Sequence, residues 1–405
     1  MKYSKKALAI QPSITLAISA KAKEMKSQGI DVIGFGVGEP DFNTPENIQE
    51  AAIKAIRDGH TKYTPASGIV ELKKAVVNKF WKENNLKYTD SQIIISTGAK
   101  QCLANLFQAV LNPMDEVLIQ IPYWVSYPEL VQLADGVPVF IKTDEKDNFK
   151  LSIDKLEAAV TERTKMIIVN TPNNPTGTVY NLEDLQMIAD FAKKHDILIL
   201  ADEIYEKLIY GNEKHISIAT LSEDAYNRTI IINGVSKSFA MTGWRIGYAA
   251  GNKDIIKLMS NLQSHTTSNP NSIAQYASLE ALTGPTDAQS AMIEEFKKRR
   301  DYMTKRINSI KGISCVEPMG AFYVMMNISR LFGKEVEGEL IKDSLSFSNS
   351  LLKHAKVAVV PGIGFGVDDF VRLSYATSME NIENGLDRIE GYVKRYYKDL
   401  KDGSV

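Results

Sequence analysis

Seven short apolar runs alternate with windows in which apolar residues recur at helical spacing, and this alternation limits the possible folds most. The runs are Ile93–Ile95, Val117–Ile121, Val137–Ile141, Met166–Asn170, Ile197–Ala201, Thr229–Ile232 and Ile246–Ala249. Lys100–Leu111 and Leu182–Lys194 are two of the helical windows. Because the runs are continuously apolar, we expect helices on both faces of the sheet. The pattern predicts a doubly wound α/β fold with a mostly parallel central sheet, in a large domain over residues 45–290.

A different pattern begins after Thr283. It starts with a charged helical window, Glu294–Ile310. Three short strand signals follow, Phe322–Met326, Val357–Val360 and Phe370–Ser374, together with two more helical windows, Asp343–Ala355 and Glu380–Tyr397. These segments predict a second, smaller α/β domain over residues 291–405.

Composition and charge exclude several classes of protein. The 405 residues are 44% hydrophobic and 24% charged, as in ordinary globular enzymes, and the formal net charge is -1. This balance gives no sign of a nucleic-acid or membrane partner. The two cysteines, Cys102 and Cys315, lack metal-ligand spacing and favour a reducing, cytoplasmic setting. The basic start resembles a signal peptide, but Gln11 and Pro12 interrupt its apolar run, so we expect no leader.

Chemically active side chains follow the predicted strands. Lys237 and Arg245 lie just past the run Thr229–Ile232 among small residues, and Asp202 ends the run Ile197–Ala201. Open α/β sheets bind their ligands at such strand ends. A lone lysine is more often a solvated surface residue, and Asp202 alone could be a helix N-cap.

Two further segments suggest sites for anions. Gly98, Ala99 and Lys100 lie where the first strand turns into a helix, whose exposed N–H groups bind anions. Lys100 opposes the helix dipole there, which a nearby anion would explain. Arg372 lies in an apolar strand-like run, a poor environment for an unpaired arginine.

The segment from Gly234 to Gly247, with Ser236, Lys237 and Arg245 inside it, resembles the lysine-attachment signature of class I pyridoxal-phosphate aminotransferases. Further signatures follow in that family's order from about Pro12 to Ser378. The resemblance implies pyridoxal 5'-phosphate held as a Schiff base on Lys237, which also moves the Cα proton. It implies two half-reactions that pass the amino group of an L-amino acid, aspartate above all, to 2-oxoglutarate. Residues 1–44 would pack with the smaller domain.

The resemblance also assigns the other contacts of the cofactor. Asp202 would pair with the ring nitrogen. Tyr205 and Asn174 would contact the ring hydroxyl, and Trp124 would stack on the ring; as single residues, Tyr205 and Trp124 could equally belong to a core, and Asn174 to a turn. The phosphate would be bound by Gly98, Ala99, Lys100, Ser236 and Arg245, and by Tyr63 from the other subunit of a homodimer.

Substrate contacts follow from the same resemblance. Arg372 and the N–H of Gly38 would bind the α-carboxylate, with Asn174 and Trp124 beside it. Thr15 and Lys100 stand where bacterial aspartate aminotransferases bind the second carboxylate of acidic substrates. Gln11 replaces a basic residue of some prephenate-using relatives, which weakens that alternative.

Three alternatives stay open from the sequence. The chain could be an aromatic amino acid or prephenate aminotransferase of the same family. It could be a lyase of the same fold, either a C–S lyase or a cyclising one. It could also be a binding or regulatory protein that retains the fold without turnover.

Overall fold

A computed structural model describes residues 3–10, 14–211, 214–336 and 338–398. Its helices, in chain order, are α1 Lys5–Ala9, α2 Ile14–Ser27, α3 Glu46–Arg57, α4 Val70–Asn84, α5 Ala99–Val110, α6 Ser126–Leu133, α7 Ile153–Ala159, α8 Leu182–Lys194, α9 Glu223–Arg228, α10 Lys253–Thr266, α11 Ser272–Thr283, α12 Asp287–Ser309, α13 Ser344–Ala355 and α14 Met379–Lys398. Its strands are β1 Ile33–Gly34, β2 Ile93–Ser96, β3 Glu116–Ile121, β4 Val137–Lys142, β5 Thr164–Asn170, β6 Leu198–Asp202, β7 Thr229–Gly234, β8 Gly247–Ala250, β9 Ser314–Cys315, β10 Tyr323–Asn327, β11 Lys334–Val336, β12 Glu339–Ile341, β13 Val357–Ala358, β14 Val360–Pro361 and β15 Phe370–Ser374.

The central sheet has seven strands in the order β2-β8-β7-β6-β5-β3-β4. The strands from β7 to β4 pair in parallel, whereas β8 runs antiparallel to both of its neighbours. All seven correspond to the seven apolar runs. The prediction of a mostly parallel, doubly wound α/β sheet is therefore confirmed.

Helices cover both faces of this sheet. Ile93 and Ile95 of β2 belong to a hydrophobic cluster that includes residues of α4, α8 and α11. Ile94 points to the opposite face and belongs to a second cluster with residues of α5 and α10. This alternation explains why the strands read as continuous apolar runs, since both faces are buried.

The ends of neighbouring strands bring polar residues together. Asn170 of β5 is aligned with Asp202 of β6, so both parallel strands end side by side. Because β8 is antiparallel, its first residue, Gly247, lies opposite Gly234 at the end of β7 and Ser96 at the end of β2. The segments after β2, β5, β6 and β7 and the segment before β8 thus meet at one edge.

A second sheet, β14-β15-β10-β9, forms with α12, α13 and α14 a separate core near the same edge. Ile33 and Phe35 from the N-terminal segment belong to this core, and β1 pairs in parallel with β13. The domain limits at residues 44 and 290 stay predictions.

Two sequence expectations need correction, and one alternative is excluded. The run Val357–Val360 forms two short strands, because β13 pairs with β1 while β14 pairs with β15. Helix α12 begins at Asp287, seven residues before the charged window that predicted it. Turns follow Asp202, so the alternative that Asp202 is a helix N-cap does not hold. Among the described helices, none has both the length and the apolar character that a membrane span requires.

Candidate active site

A cavity of about 350 Å³ lies at the edge where the strand ends meet. Eleven of the predicted site residues line it: Gly38, Ala99, Lys100, Trp124, Asn174, Asp202, Tyr205, Ser236, Lys237, Arg245 and Arg372. They come from seven separate parts of the sequence. The fold therefore gathers into one concave site the residues that sequence patterns predicted.

Lys237 lies in the turn after β7, with its amine inside the cavity. Its Nζ donates a 2.6 Å hydrogen bond to the carbonyl oxygen of Gly38. Burial lowers the pKa of this amine to about 8; Glu39 opposes the shift, and the positive charges of Arg245 and Arg372 add to it. A neutral, nucleophilic amine is therefore accessible near physiological pH.

Asp202 is the last residue of β6, and its carboxylate is buried. The hydroxyl of Tyr127 donates a 2.6 Å hydrogen bond to Oδ2, and the N–H of Ile204 donates to Oδ1 at 3.3 Å. Burial raises the pKa of Asp202 to about 6, against the lowering effect of these two donors. The carboxylate is thus suited to a positively charged partner inside the cavity.

The start of α5 and the segment before β8 form a positively charged corner. Arg245 has a left-handed backbone with φ 57°, and its Nη1 donates 2.9 Å to the carbonyl oxygen of Thr242. Gly98, the N-cap of α5, has φ 83°, and a Cβ there would overlap the guanidinium of Arg245. Only glycine allows this close approach, which joins the helix N-terminus to an arginine.

Lys100 adds a second cation to this corner. Its Nζ lies 5.0 Å from the ring centroid of Trp124, and burial, followed by the charge of Arg245, lowers its pKa. In the described part of the chain, neither Lys100 nor Arg245 forms an ion pair with an acidic side chain. Ser236 is buried at the same cavity wall. Two unpaired cations and a helix N-terminus fit an anion such as phosphate.

Arg372 of β15 is buried and lines the same cavity. Its Nη1 donates to Oδ1 of Asn174 at 3.1 Å, its Nη2 donates to the carbonyl oxygen of Gly36 at 2.9 Å, and its Nε has no partner. Burial lowers its pKa, and no described carboxylate pairs with it. A buried guanidinium with a free donor has the chemistry to bind a carboxylate.

Tyr205 and Trp124, the two aromatic residues predicted to contact the cofactor ring, both line the cavity. The hydroxyl of Tyr205 lies 3.0 Å from that of Tyr323, and Tyr205 is held by turns rather than by a helix. Trp124 makes an edge contact with Tyr127, at 5.2 Å between ring centroids. Both rings face the cavity, in addition to packing against neighbours.

Of the three other predicted residues, two lie outside the cavity lining. Gly98 adjoins it through Ala99 and Arg245. Tyr63 is 91% exposed. Thr15 is in α2, but its side chain, like all of Gln11, lies outside the described residues.

Sequence reasoning missed Tyr127, Asn170 and Tyr323, which also line the cavity. Tyr127 comes three residues after Trp124 and is the second residue of α6, so its position in that aromatic segment was the one available signal. Tyr323 carried no signal, because it reads as an ordinary aromatic residue of a buried strand.

Comparison with known proteins agrees with this geometry. The family model for aminotransferase class I and II matches residues 30–389. The chain belongs to this family. The family uses pyridoxal 5'-phosphate, and the amine, the buried carboxylate and the positively charged corner described above fit that cofactor.

Individual relatives cover nearly the whole chain. It is 51% identical to the aspartate aminotransferase of Bacillus subtilis over 397 residues, 98% of this chain and 100% of that one. It is 46% identical to the aspartate/prephenate aminotransferase of Nitrosomonas europaea over 392 residues, 96% of this chain and 99% of the relative. The crystal structure of the Rhizobium meliloti aspartate aminotransferase superposes with a TM-score of 0.94 at 43% identity, covering 98% of this chain and 99% of that one. The predicted family is confirmed.

Proposed function

We propose that the chain is an aspartate:2-oxoglutarate aminotransferase that works by two half-reactions. One observation carries the proposal: the amine of Lys237, the carboxylate of Asp202 and the guanidinium of Arg372 face the same cavity. Bound pyridoxal phosphate supplies an aldehyde that takes the amino group and a ring that accepts electrons from Cα. The similarity over its full length to the aspartate aminotransferase of Bacillus subtilis supports aspartate as the donor.

Different residues bind different parts of pyridoxal phosphate. Asp202 keeps the ring nitrogen protonated, since its buried carboxylate is stabilised by a positive partner. Tyr205 and Asn174 donate to the ring hydroxyl, and Trp124 covers one ring face. The phosphate is bound by Gly98, Ala99, Lys100, Ser236 and Arg245.

Lys237 has two roles in the proposal. Its amine would hold the cofactor between turnovers, and the same amine, when free, would move a proton to and from the substrate Cα. A pKa of about 8 suits both roles, because a substantial fraction of the amine is neutral near pH 7–8.

Substrate recognition rests on positive groups at two ends of the cavity. Arg372 and the N–H of Gly38 bind the α-carboxylate, and the free Nε of Arg372 supports this role. Lys100 and Thr15 bind the second carboxylate of aspartate or glutamate. The aspartate/prephenate aminotransferase of Nitrosomonas europaea favours prephenate as a further substrate, and an aromatic amino acid or prephenate aminotransferase is the second candidate function.

Tyr63 supports a homodimer. An exposed tyrosine that reaches the phosphate of the neighbouring subunit would be buried only in the assembly. The proposal also includes cytoplasmic location and the domain division at residues 44/45 and 290/291.

Purified protein with added pyridoxal phosphate tests the function. Aspartate and 2-oxoglutarate should give oxaloacetate and glutamate in equal amounts, with no ammonia released. Ammonia with little glutamate would identify a lyase, and faster turnover of prephenate or phenylalanine than of aspartate would favour the second candidate. Turnover no faster than buffer with every common amino donor would indicate a binding or regulatory protein.

A further inference from the structure

Tyr323 begins β10 and lines the cavity, although its side chain is almost completely buried. In the antiparallel pairing of β10 with β15, Tyr323 is aligned with Ser374 and Met325 with Arg372. Aligned residues share a sheet face, and so do residues two apart on one strand. Tyr323 and Arg372 are therefore diagonal neighbours on the face that closes the cavity.

The ring of Tyr323 lies directly against the charge of Arg372. The guanidinium carbon of Arg372 is 4.3 Å from the ring centroid of Tyr323 and 5.0 Å from that of Phe365. A planar guanidinium stacks on aromatic faces, and contact with two rings limits its rotation. This arrangement holds the fork of Arg372 in position although no carboxylate of the described chain binds it.

The hydroxyl of Tyr323 has a different neighbour. It lies 3.0 Å from the hydroxyl of Tyr205, and a Cβ on Gly38 would be 3.1 Å from it. When Tyr205 donates its proton toward the cofactor ring, Tyr323 can donate to the oxygen of Tyr205. A tyrosine that receives a hydrogen bond at its oxygen keeps its orientation and its own proton remains available.

We propose that Tyr323 is a positioning residue of the substrate site with two separable parts. Its ring orients Arg372 for the α-carboxylate, and its hydroxyl fixes the hydroxyl of Tyr205. The inference rests on the proposed function for the roles of Arg372 and Tyr205. Through this one side chain, Arg372 at the carboxylate site and Tyr205 at the cofactor ring contact the same residue.

Two variants separate these parts. Tyr323→Phe keeps the ring and removes the hydroxyl, whereas Tyr323→Leu removes both. Tyr210→Phe is the matched control, because Tyr210 is equally buried and its hydroxyl donates to the carbonyl oxygen of Ala321, away from the cavity lining. Each holoenzyme is titrated with succinate, an unreactive dicarboxylate, and its visible absorbance is followed against pH.

For Tyr323→Phe we expect succinate affinity within about twofold of wild type. Its absorbance should titrate at a shifted pH, and kcat should fall about 2- to 12-fold, the range of one hydrogen bond. For Tyr323→Leu we expect succinate to bind about 5- to 30-fold more weakly, the range of a desolvated cation–π contact. Tyr210→Phe should change none of these quantities.

Each half of the inference can fail separately. An unchanged absorbance titration and kcat in Tyr323→Phe would overturn the role of the hydroxyl. Wild-type succinate affinity in Tyr323→Leu would overturn the role of the ring, and so would an equal loss in Tyr323→Phe. If wild-type protein binds succinate but transfers no amino group, the proposed function fails, while the succinate titrations still decide the role of the ring.

Discussion

The hydroxyl of Tyr127 donates a 2.6 Å hydrogen bond to Oδ2 of Asp202, and both side chains are buried. This bond lowers the pKa of Asp202, whereas burial raises it, and the balance leaves the pKa at about 6. A carboxylate that pairs with a ring nitrogen must be ionised at working pH. Tyr127 therefore helps to keep Asp202 charged in a buried site.

Tyr127→Phe removes this donor without changing the packing of the ring. We expect the pKa of Asp202 to rise above about 6, because one carboxylate oxygen loses its partner. The free energy of unfolding at pH 8 should fall by about 1.5–3 kcal/mol, the scale of a hydrogen bond to a charged group. Carbon NMR titration of the cofactor-free protein, with labelled aspartate, measures the pKa directly.

Tyr180→Phe is the control for Tyr127→Phe. Tyr180 is also buried, but its hydroxyl donates to Oε1 of Gln120 at 2.6 Å. Tyr180→Phe should reduce the free energy of unfolding without changing the pKa of Asp202. A Tyr127→Phe variant whose Asp202 titrates as in wild type would show that the hydrogen bond does not set this pKa.

Lys237 should react with the cofactor in a pH range that identifies it. Burial lowers its pKa from the ordinary 10.5 to about 8, and only the neutral amine attacks an aldehyde. The rate of covalent attachment of pyridoxal phosphate to the cofactor-free protein should therefore rise through about pH 8 and then level off. Mass spectrometry after borohydride reduction locates the label.

Lys237→Ala should abolish this attachment and reduce transamination by at least the ~10²–10⁴-fold of a lost general base. A rate that keeps rising towards pH 10.5, or a label on another lysine, would contradict the assignment of Lys237.

Gly98→Ala tests the positively charged corner. Gly98 has φ 83° and ψ 160°, a region that is open almost only to glycine, and an added Cβ would overlap the guanidinium of Arg245. We expect the free energy of unfolding to fall by about 1–3 kcal/mol from backbone strain. Affinity for pyridoxal phosphate should fall further than affinity for pyridoxal, because Arg245 must move away.

Gly243→Ala is the matched control, since a Cβ there meets nothing within 4 Å and its φ is not positive. If Gly98→Ala weakened pyridoxal and pyridoxal phosphate equally, Gly98 would have no specific part in phosphate binding.

Sequence patterns predicted the sheet and most of the site for one physical reason. Strands buried on both faces are continuously apolar, so the polar residues that end them, such as Asp202, stand out. Lys237, after β7, was found in the same way. Contacts between distant segments have no local sequence pattern. Nothing in the segment around Tyr323 indicates that it stacks on Arg372. The same limit explains why Val357–Val360 appeared to be one strand, since its two halves pair with different partners.

A buried ionic cluster beside the cavity should make stability depend on pH. The ring of His215 lies 3.1 Å from Oε2 of Glu203, and Glu206 of the same turn pairs with Lys79 of α4. The charges of Glu203 and Glu206 raise the pKa of His215, against burial and the charge of Lys79. A protonated His215 places a positive charge beside the buried carboxylate of Glu203, while Glu206 pairs with Lys79.

His215→Gln should therefore reduce the free energy of unfolding most at low pH. Because the pKa of His215 is raised in the folded protein, its contribution is fully present below the unfolded value of 6.5 and is lost as pH rises through the folded pKa. The difference between wild type and His215→Gln, measured by urea unfolding from pH 6 upward, should shrink as pH increases. His195→Gln is the control, since His195 contacts Glu157 in a more exposed position. A difference that stays constant across this range would show that His215 is uncharged in the folded protein.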